Sequence, residues 1–460
     1  MIKNMIQINS KIFRAYDIRG IYPSEINEDV GFLVGRSLAI FLQDKYQQEK
    51  LTIVVGRDGR ESSLELSEQV KKGALSLGVN VIDVGLVPSV AFYFSVWNYG
   101  YDGGVFITAS HNPSEYNGFK LVERKAILIA ANTGMDKIKS LALNDSGDEK
   151  LPLEKGKQIK KNVLSAYQEF VLKSFDLESF KPLKIAIDCA NGASSVLVPS
   201  IVEKIPGDHK LLFCEIDGKF SNHLPDPSQK ANLEQLSEVV KGGSYDLGVA
   251  FDGDGDRVGF VDEKGEMVSP NLITAFLTKM FIKEKNEKKI IYTVCMSRVI
   301  ADVANELGGE TEMTKVGFTF VKEKTMEANA ALGAEISGHY CLKSDNFCEG
   351  PIFVWLAILN EMSKTGKKAS EIFSEFKRYF YEGPLNYEVE NKERVLKDLE
   401  NYFKNGKVSY LDGIRVDFDD WWFNARPSNT ENLLRVVIEA KNKDTLEQKK
   451  KEILKIVGRD

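Results

Sequence analysis

Three stretches decide the fold: Gly104-Val-Phe-Ile-Thr-Ala-Ser-His-Asn-Pro113, Leu247-Gly-Val-Ala-Phe-Asp-Gly-Asp-Gly-Asp-Arg257 and Leu332-Gly-Ala-Glu-Ile-Ser-Gly-His339. Each is a short apolar strand that runs into a loop of unusual chemistry. Upstream of each lies the same grammar: an apolar strand, a polar turn and an amphipathic helix opened by serine, at Leu51 to Ser63, Leu183 to Ser195 and Lys289 to Ser297. A second strand follows at Val79 to Pro88, Lys210 to Pro227 and Glu310 to Val316. Strand-helix-strand order with buried runs predicts three similar α/β domains on mixed, mostly parallel sheets. Ligands gather at the carboxyl ends of strands in such sheets, so the three loops are expected to face a central cleft.

From Gly366 onward the pattern changes. Asp412 to Phe418, Trp421 to Ala425 and Leu433 to Ala440 read as adjacent strands before a Lys/Glu-rich helix, which predicts a smaller C-terminal α+β domain. The expected domains are 1–160, 161–266, 267–365 and 366–460.

The 460 residues exceed what one hydrophobic core organises, and a 43% hydrophobic, 28% charged composition is that of a globular chain. The net charge is −6 and the Lys/Arg residues are scattered, so the basic stripe of a nucleic-acid binder is missing. The N-terminal stretch Met1 to Gly20 has no signal-peptide core, and the apolar run near Ile352 to Leu359 is too short for a bilayer. Expected from this are a cytoplasmic location, no membrane partner and no nucleic-acid partner. Five cysteines without CxxC spacing read as separate reduced thiols.

Ser110 ends its strand among small residues, where a hydroxyl is either a nucleophile or the opening of an ST-turn before Pro113. His111 is badly placed to activate its own neighbour. Asp252, Asp254 and Asp256 alternate with glycines, which lets three carboxylates turn toward one hard cation. An EF-hand is excluded because Arg257 stands where that loop needs glycine and the flanks read as strands. A phosphatase with Asp252 as phosphoryl acceptor and Asp254 as acid/base also fits the spacing, and a structural turn is the third reading. Glu335, Ser337 and His339 suit a hydroxyl-rich ligand. Arg426, Ser428, Asn429 and Thr430 offer a fork and an anion nest for a phosphate, or a simple Pro/Ser/Asn turn.

Together these loops resemble the α-D-phosphohexomutase family, in particular its phosphomannomutase/phosphoglucomutase branch. The motifs occur in order along the whole chain: Phe13-Arg-Ala-Tyr-Asp-Ile-Arg-Gly20, Thr108-Ala-Ser-His-Asn-Pro113, Asn117-Gly-Phe-Lys120, Asp252-Gly-Asp-Gly-Asp-Arg257, Glu335-Ile-Ser-Gly-His339 and Arg426-Pro-Ser-Asn-Thr-Glu431. The resemblance implies a phosphoserine at Ser110 and Mg²⁺ on Asp252, Asp254, Asp256 and the Ser110 phosphate. It implies Lys120, Arg19 and His339 as proton-transfer and charge-stabilising groups. Substrate contacts would come from Tyr16, Arg257, Glu335, Ser337, His339, Arg426, Ser428, Asn429 and Thr430. The implied reaction interconverts hexose 6-phosphate and hexose 1-phosphate through a hexose 1,6-bisphosphate, which also serves as activator, in a monomer or homodimer with a hinged last domain.

Some positions depart from that branch. Cys295 stands where lysine is usual and Phe318 where histidine is common, with Lys315 a nearby substitute; Asn432 follows Glu431 in place of proline, and Ala334 replaces glycine. Ile336 resembles the methionine of dual-specificity enzymes, whereas the glucosamine branch tends to carry glutamine, so mannose and glucose phosphates are the expected substrates. The alternatives are an Asp-nucleophile phosphatase, a phosphoglucosamine mutase and a non-catalytic sugar-phosphate sensor.

Overall fold

A computed structural model describes residues 8–145, 154–428 and 433–458. Its contacts separate two compact units, Met1–Met267 with Cys348–Ala369, and Val268–Phe347 with Ser370–Asp460.

The first unit holds two mixed sheets. One contains β1 (Ile18–Ile21), β2 (Thr52–Arg57), β3 (Asn80–Leu86), β4 (Gly103–Ile107), β5 (Tyr116–Glu123), β6 (Ile127–Leu128) and β7 (Gln158–Lys160), ordered β1-β5-β4-β2-β3-β7 with β6 beside β5. The neighbours β4, β2, β3 and β7 run parallel, and β5 returns antiparallel to β4. Every residue of β4 is buried, as a strand covered on both faces requires. Helices Glu28–Tyr46 and Ser63–Ser76 close one face, where Val30, Val34, Leu38, Leu66 and Val70 meet Ile53, Val55 and Phe119. The first of these helices opens on Asn27, whose side-chain oxygen accepts from the Val30 amide at 3.1 Å, a cap that contributes about 1 kcal/mol.

The second sheet holds β8 (Leu183–Asp188), β9 (Gly207–Leu212), β10 (Leu247–Phe251), β11 (Val258–Asp262) and β12 (Met267–Val268), ordered β12-β11-β10-β8-β9. Here β10, β8 and β9 are parallel and β11 folds back on β10 as a hairpin around the acidic loop. The cysteines depart from expectation. Cys189 and Cys214 are joined as a disulfide, while Cys295, Cys341 and Cys348 are buried thiols. The joined pair follows β8 and β9, which are neighbours in register (Asp188 opposite Leu212), so the pairing comes from strand adjacency and leaves no spacing signature.

A later segment completes this unit. After β17 (Cys348–Glu349), helix Pro351–Thr365 inserts Trp355, fully buried and edge-on to Phe251 with ring centroids 6.1 Å apart. In the second unit, β13 (Lys289–Thr293), β14 (Glu310–Thr314), β15 (Leu332–Ala334) and β16 (Tyr340–Leu342) run in the order β14-β13-β15-β16. The last sheet is antiparallel, β18 (Phe380–Glu388), β22 (Leu433–Ala440), β21 (Trp421–Pro427), β20 (Ile414–Asp417) and β19 (Lys407–Ser409) in spatial order. Strands β18 and β19 add to the three that the sequence pattern picks out. Arg415 ties this sheet to the one before it by donating Nη1 to the Val294 carbonyl at 2.6 Å, and Arg298 donates Nη2 to the Phe418 carbonyl at 3.1 Å. Among the described residues no helix is long and apolar enough to cross a membrane.

Candidate active site

Two strand ends meet in the first unit. Ser110 lies three residues past β4, buried, in the left-handed backbone region at φ 51°. That conformation is uncommon for a residue with a Cβ and marks a loop held by its surroundings. The Ser110 amide donates to Thr108 Oγ1 at 2.7 Å, and its Oγ donates to Asp252 Oδ2 at 3.0 Å while lying 3.2 Å from His111 Nδ1.

Asp252 is the first residue past β10, and its other oxygen, Oδ1, accepts from the amides of Asp256 (3.0 Å) and Arg257 (3.1 Å), so this one side chain folds the acidic loop. Two glycines make the loop possible. Gly255 takes φ 76°, a conformation that favours glycine. A Cβ on Gly253 would sit 2.5 Å from the Ser110 carbonyl oxygen, so only a residue lacking a side chain lets the two loops touch.

Asp252, Asp254 and Asp256 are all buried, and one carboxylate oxygen from each lies within 4.8 Å of the others. Burial, with Asp256 and Asp254 close by, drives the Asp252 carboxyl well above the usual range. Lys120 answers this charge from β5, opposite Phe106 of β4; its Nζ donates to Asp254 at 2.8 Å and Asp256 at 2.6 Å. Burial alone would lower the Lys120 ammonium, but Asp254 and Asp256 overcome it and hold the group charged, well above its usual value. Asp254 Oδ1 is buried and accepts no hydrogen bond from the described residues. An all-oxygen set of three carboxylates and a hydroxyl, with one carboxylate oxygen unmet, fits a hard divalent cation.

Arg19 enters through β1, which pairs with β5, and is anchored by Asp17 and by Asn112 Oδ1 (2.6 Å from Nη1) beside the serine loop. Arg257 lies 3.9 Å from Asp252 Oδ2 and 3.7 Å from Asp226. Tyr16 sits half-buried in the bend before β1. The sequence motifs give no notice of Arg60, which is fully buried beneath the serine loop, or of Tyr93, whose phenol is pushed well above its usual range by burial near Lys120. Arg60 stands in a Gly-Arg-Asp-Gly-Arg turn that reads as solvent-facing, so its interior role carries no sequence signal.

The second unit assembles the other set. Glu335 Oε1 accepts from the Gly317 amide at 2.8 Å and Oε2 from Ser337 Oγ at 3.1 Å. His339 is buried and packs on Phe318, ring centroids 4.9 Å apart, so the aromatic ring covers the imidazole. Cys295 lies among Trp422 and Val437, and burial raises its thiol, with Arg426 and Glu335 near enough to act on it in opposite senses. Arg426 is half-buried on β21, and the buried Ser428 follows, its amide donating to the Leu433 carbonyl at 2.8 Å. Asn429 and Thr430 lie outside the described residues.

A buried hydroxyl facing an acidic trio at the ends of parallel strands defines a phosphoryl-transfer enzyme of four-domain α/β build. The family models of phosphoglucomutase/phosphomannomutase match throughout: alpha/beta/alpha domain I over residues 10–148, domain II over 165–265, domain III over 269–379 and the C-terminal domain over 385–456. A phosphomannomutase of Methanocaldococcus jannaschii is 33% identical over 97% of this chain and 98% of its own length. A phosphomannomutase/phosphoglucomutase of Pseudomonas putida is 36% identical over 93% and 91%. A crystal structure of a phosphoglucomutase/phosphomannomutase family protein from Burkholderia thailandensis superposes with a TM-score of 0.88 at 28% identity, covering 98% of both chains. The chain belongs to the phosphoglucomutase/phosphomannomutase family, and it is a hexose-phosphate mutase of the isomerase class.

Proposed function

We propose that the enzyme interconverts the 6- and 1-phosphates of mannose and glucose through phospho-Ser110 and a hexose 1,6-bisphosphate, with Mg²⁺ as its ion. The observation that carries this reading is the 3.0 Å contact between Ser110 Oγ and Asp252, two residues 142 apart in sequence. In the first half-reaction the bond from phosphorus to Ser110 Oγ breaks and one from phosphorus to a sugar hydroxyl forms, while that hydroxyl gives its proton to a base and the departing Oγ takes up a proton. The second half-reaction reverses these events with the other phosphate, so Ser110 ends phosphorylated.

Lys120 holds a charged Nζ beside Asp254 and Asp256, which supports it as the group that stabilises charge and relays a proton near Ser110. Arg19, fixed by Asp17 and Asn112, presents a guanidinium to a phosphoryl oxygen. Mg²⁺ held by Asp252, Asp254, Asp256 and an oxygen of the Ser110 phosphate would neutralise charge on the transferring group. Glu335 and Ser337 offer acceptors and a donor to sugar hydroxyls, His339 a further proton carrier, and Arg426 and Ser428 a grip for the phosphate not in transfer. Tyr16 and Arg257 complete the proposed substrate contacts. Phosphorylated sugars are kept inside the cell by their charge, which favours the cytoplasm as the place of action.

Ser110→Ala is expected to abolish interconversion of mannose 1-phosphate and mannose 6-phosphate, and to remove an 80 Da adduct, roughly one phosphoryl group, from the intact mass. Full activity in that variant sinks the proposal. An Asp-nucleophile phosphatase would keep releasing phosphate, and a sugar-phosphate sensor would show no adduct discharged by substrate. Rates on mannose, glucose and glucosamine phosphates, with a hexose bisphosphate as activator, test the choice of sugar.

A further inference from the structure

We propose that Arg60 is a positioning residue for phosphoryl transfer, holding the Ser110 loop in its reactive shape without touching substrate. A guanidinium carries five N–H donors, and all five of Arg60's are used. Nε donates to Asp58 Oδ2 at 3.1 Å, Nη1 to the carbonyls of Pro113 (2.7 Å) and Tyr116 (3.1 Å), and Nη2 to the carbonyls of Ser110 and Asn112, both at 2.7 Å. Four of the five bonds therefore end between Ser110 and the first residue of β5, and one of them on the nucleophile's own carbonyl. The Phe220 ring covers the guanidinium, its centroid 4.8 Å from the central carbon. Asp58 is itself fixed by the Arg60 amide at 3.0 Å and by Ser63 Oγ at 2.6 Å.

The geometry assigns a direction to this clamp. Four carbonyls drawn toward one buried cation curl the loop around it, and the Ser110 carbonyl is held between the guanidinium and Gly253 of the acidic loop. The side chain on the same residue is thereby turned toward Asp252, which accounts for a non-glycine residue at φ 51° with its Oγ 3.0 Å from the carboxylate. Ala109 anchors the start of the turn and Thr108 Oγ1 takes the Ser110 amide, while the Arg60 bonds fix the carbonyls of the residues that follow. Its hydrogen bonds reach neither the Ser110 hydroxyl nor the three carboxylates, so Arg60 acts chiefly through backbone position, with Asp254 and Arg19 near enough to feel its charge.

This inference rests on Ser110 being the phosphoryl carrier, so the wild-type adduct on Ser110 is measured first, and its absence defeats that reading and not the clamp geometry. Arg60→Lys leaves at most three donors for five acceptors. Its kcat per folded molecule is expected to fall about 100-fold, the order of effect of an ångström-scale misplacement, with KM for hexose 6-phosphate within about threefold of wild type. In Arg60→Ala, added guanidinium is expected to raise kcat about tenfold while leaving wild type unmoved, because a free cation can refill the vacated site. A role in stability alone would lower the melting temperature without that rescue or that split between kcat and KM. Wild-type adduct present, with Arg60→Lys turning over within about threefold of wild type, or Arg60→Ala unresponsive to guanidinium, overturns the proposal.

Discussion

Gly253→Ala probes the meeting of the two loops directly. The new Cβ would stand 2.5 Å from the Ser110 carbonyl oxygen and 3.2 Å from Pro225 Cγ. A carbon and an oxygen in contact need about 3.3 Å, so one loop must retreat by roughly 0.8 Å, and the nearer obstacle is backbone held by Arg60. Overpacking of this kind costs about 1–3 kcal/mol of stability. Misplacement of the hydroxyl relative to the carboxylates by nearly an ångström is expected to cost about 100-fold in kcat, or about 2.7 kcal/mol of barrier. The assay couples glucose 6-phosphate formed from glucose 1-phosphate to a dehydrogenase, with circular dichroism melts run in parallel. Gly242→Ala is the control, since a Cβ there meets nothing within 4 Å. If Gly253→Ala retains at least a third of wild-type kcat with a native melt, close approach of the loops is not what sets the hydroxyl in place.

Two further perturbations test the site and the last sheet. Lys120→Met removes the one ammonium shared by Asp254 and Asp256 and is expected to lower kcat by about 100- to 10,000-fold in the same assay; a loss under tenfold contradicts its assigned role. Burial pushes the Glu439 carboxyl up, although Ser297, Trp422 and Arg298 pull it back. A carboxyl raised in the folded state contributes fully below its unfolded value, about 4.3, and loses that contribution as pH rises through the folded value. Glu439→Gln retains an acceptor for Trp422 Nε1, now 2.6 Å away, so its melting temperature relative to wild type should improve between pH 4 and pH 8. A gap independent of pH speaks against a raised Glu439.

The two loops that meet in the first unit were legible because strand-end loops rich in glycine and carboxylate have few other uses. Asp252, Asp254 and Asp256 alternate with glycines directly after an apolar run, and that arrangement is local to a few residues. Arg60 was illegible for the opposite reason: its five acceptors lie up to 56 residues away in sequence and are mostly backbone carbonyls, which any residue supplies. The Cys189–Cys214 bond depends on β8 and β9 being neighbours, a fact of sheet order that spacing does not encode. Strand β18 escaped notice because its half-exposed alternation, Phe380 to Glu388, is broken by Gly383 and Pro384.

The helix Pro351–Thr365 has a consequence for biosynthesis. Trp355 packs on Phe251 in the sheet that carries the acidic loop, yet it is translated about a hundred residues after Phe251. A nascent chain that has just emerged through Met267 therefore lacks Trp355 over Phe251 until the later helix has been made. A fragment cut at the end of the second sheet leaves Phe251 without its ring partner, whereas one with residues 348–369 grafted on keeps it.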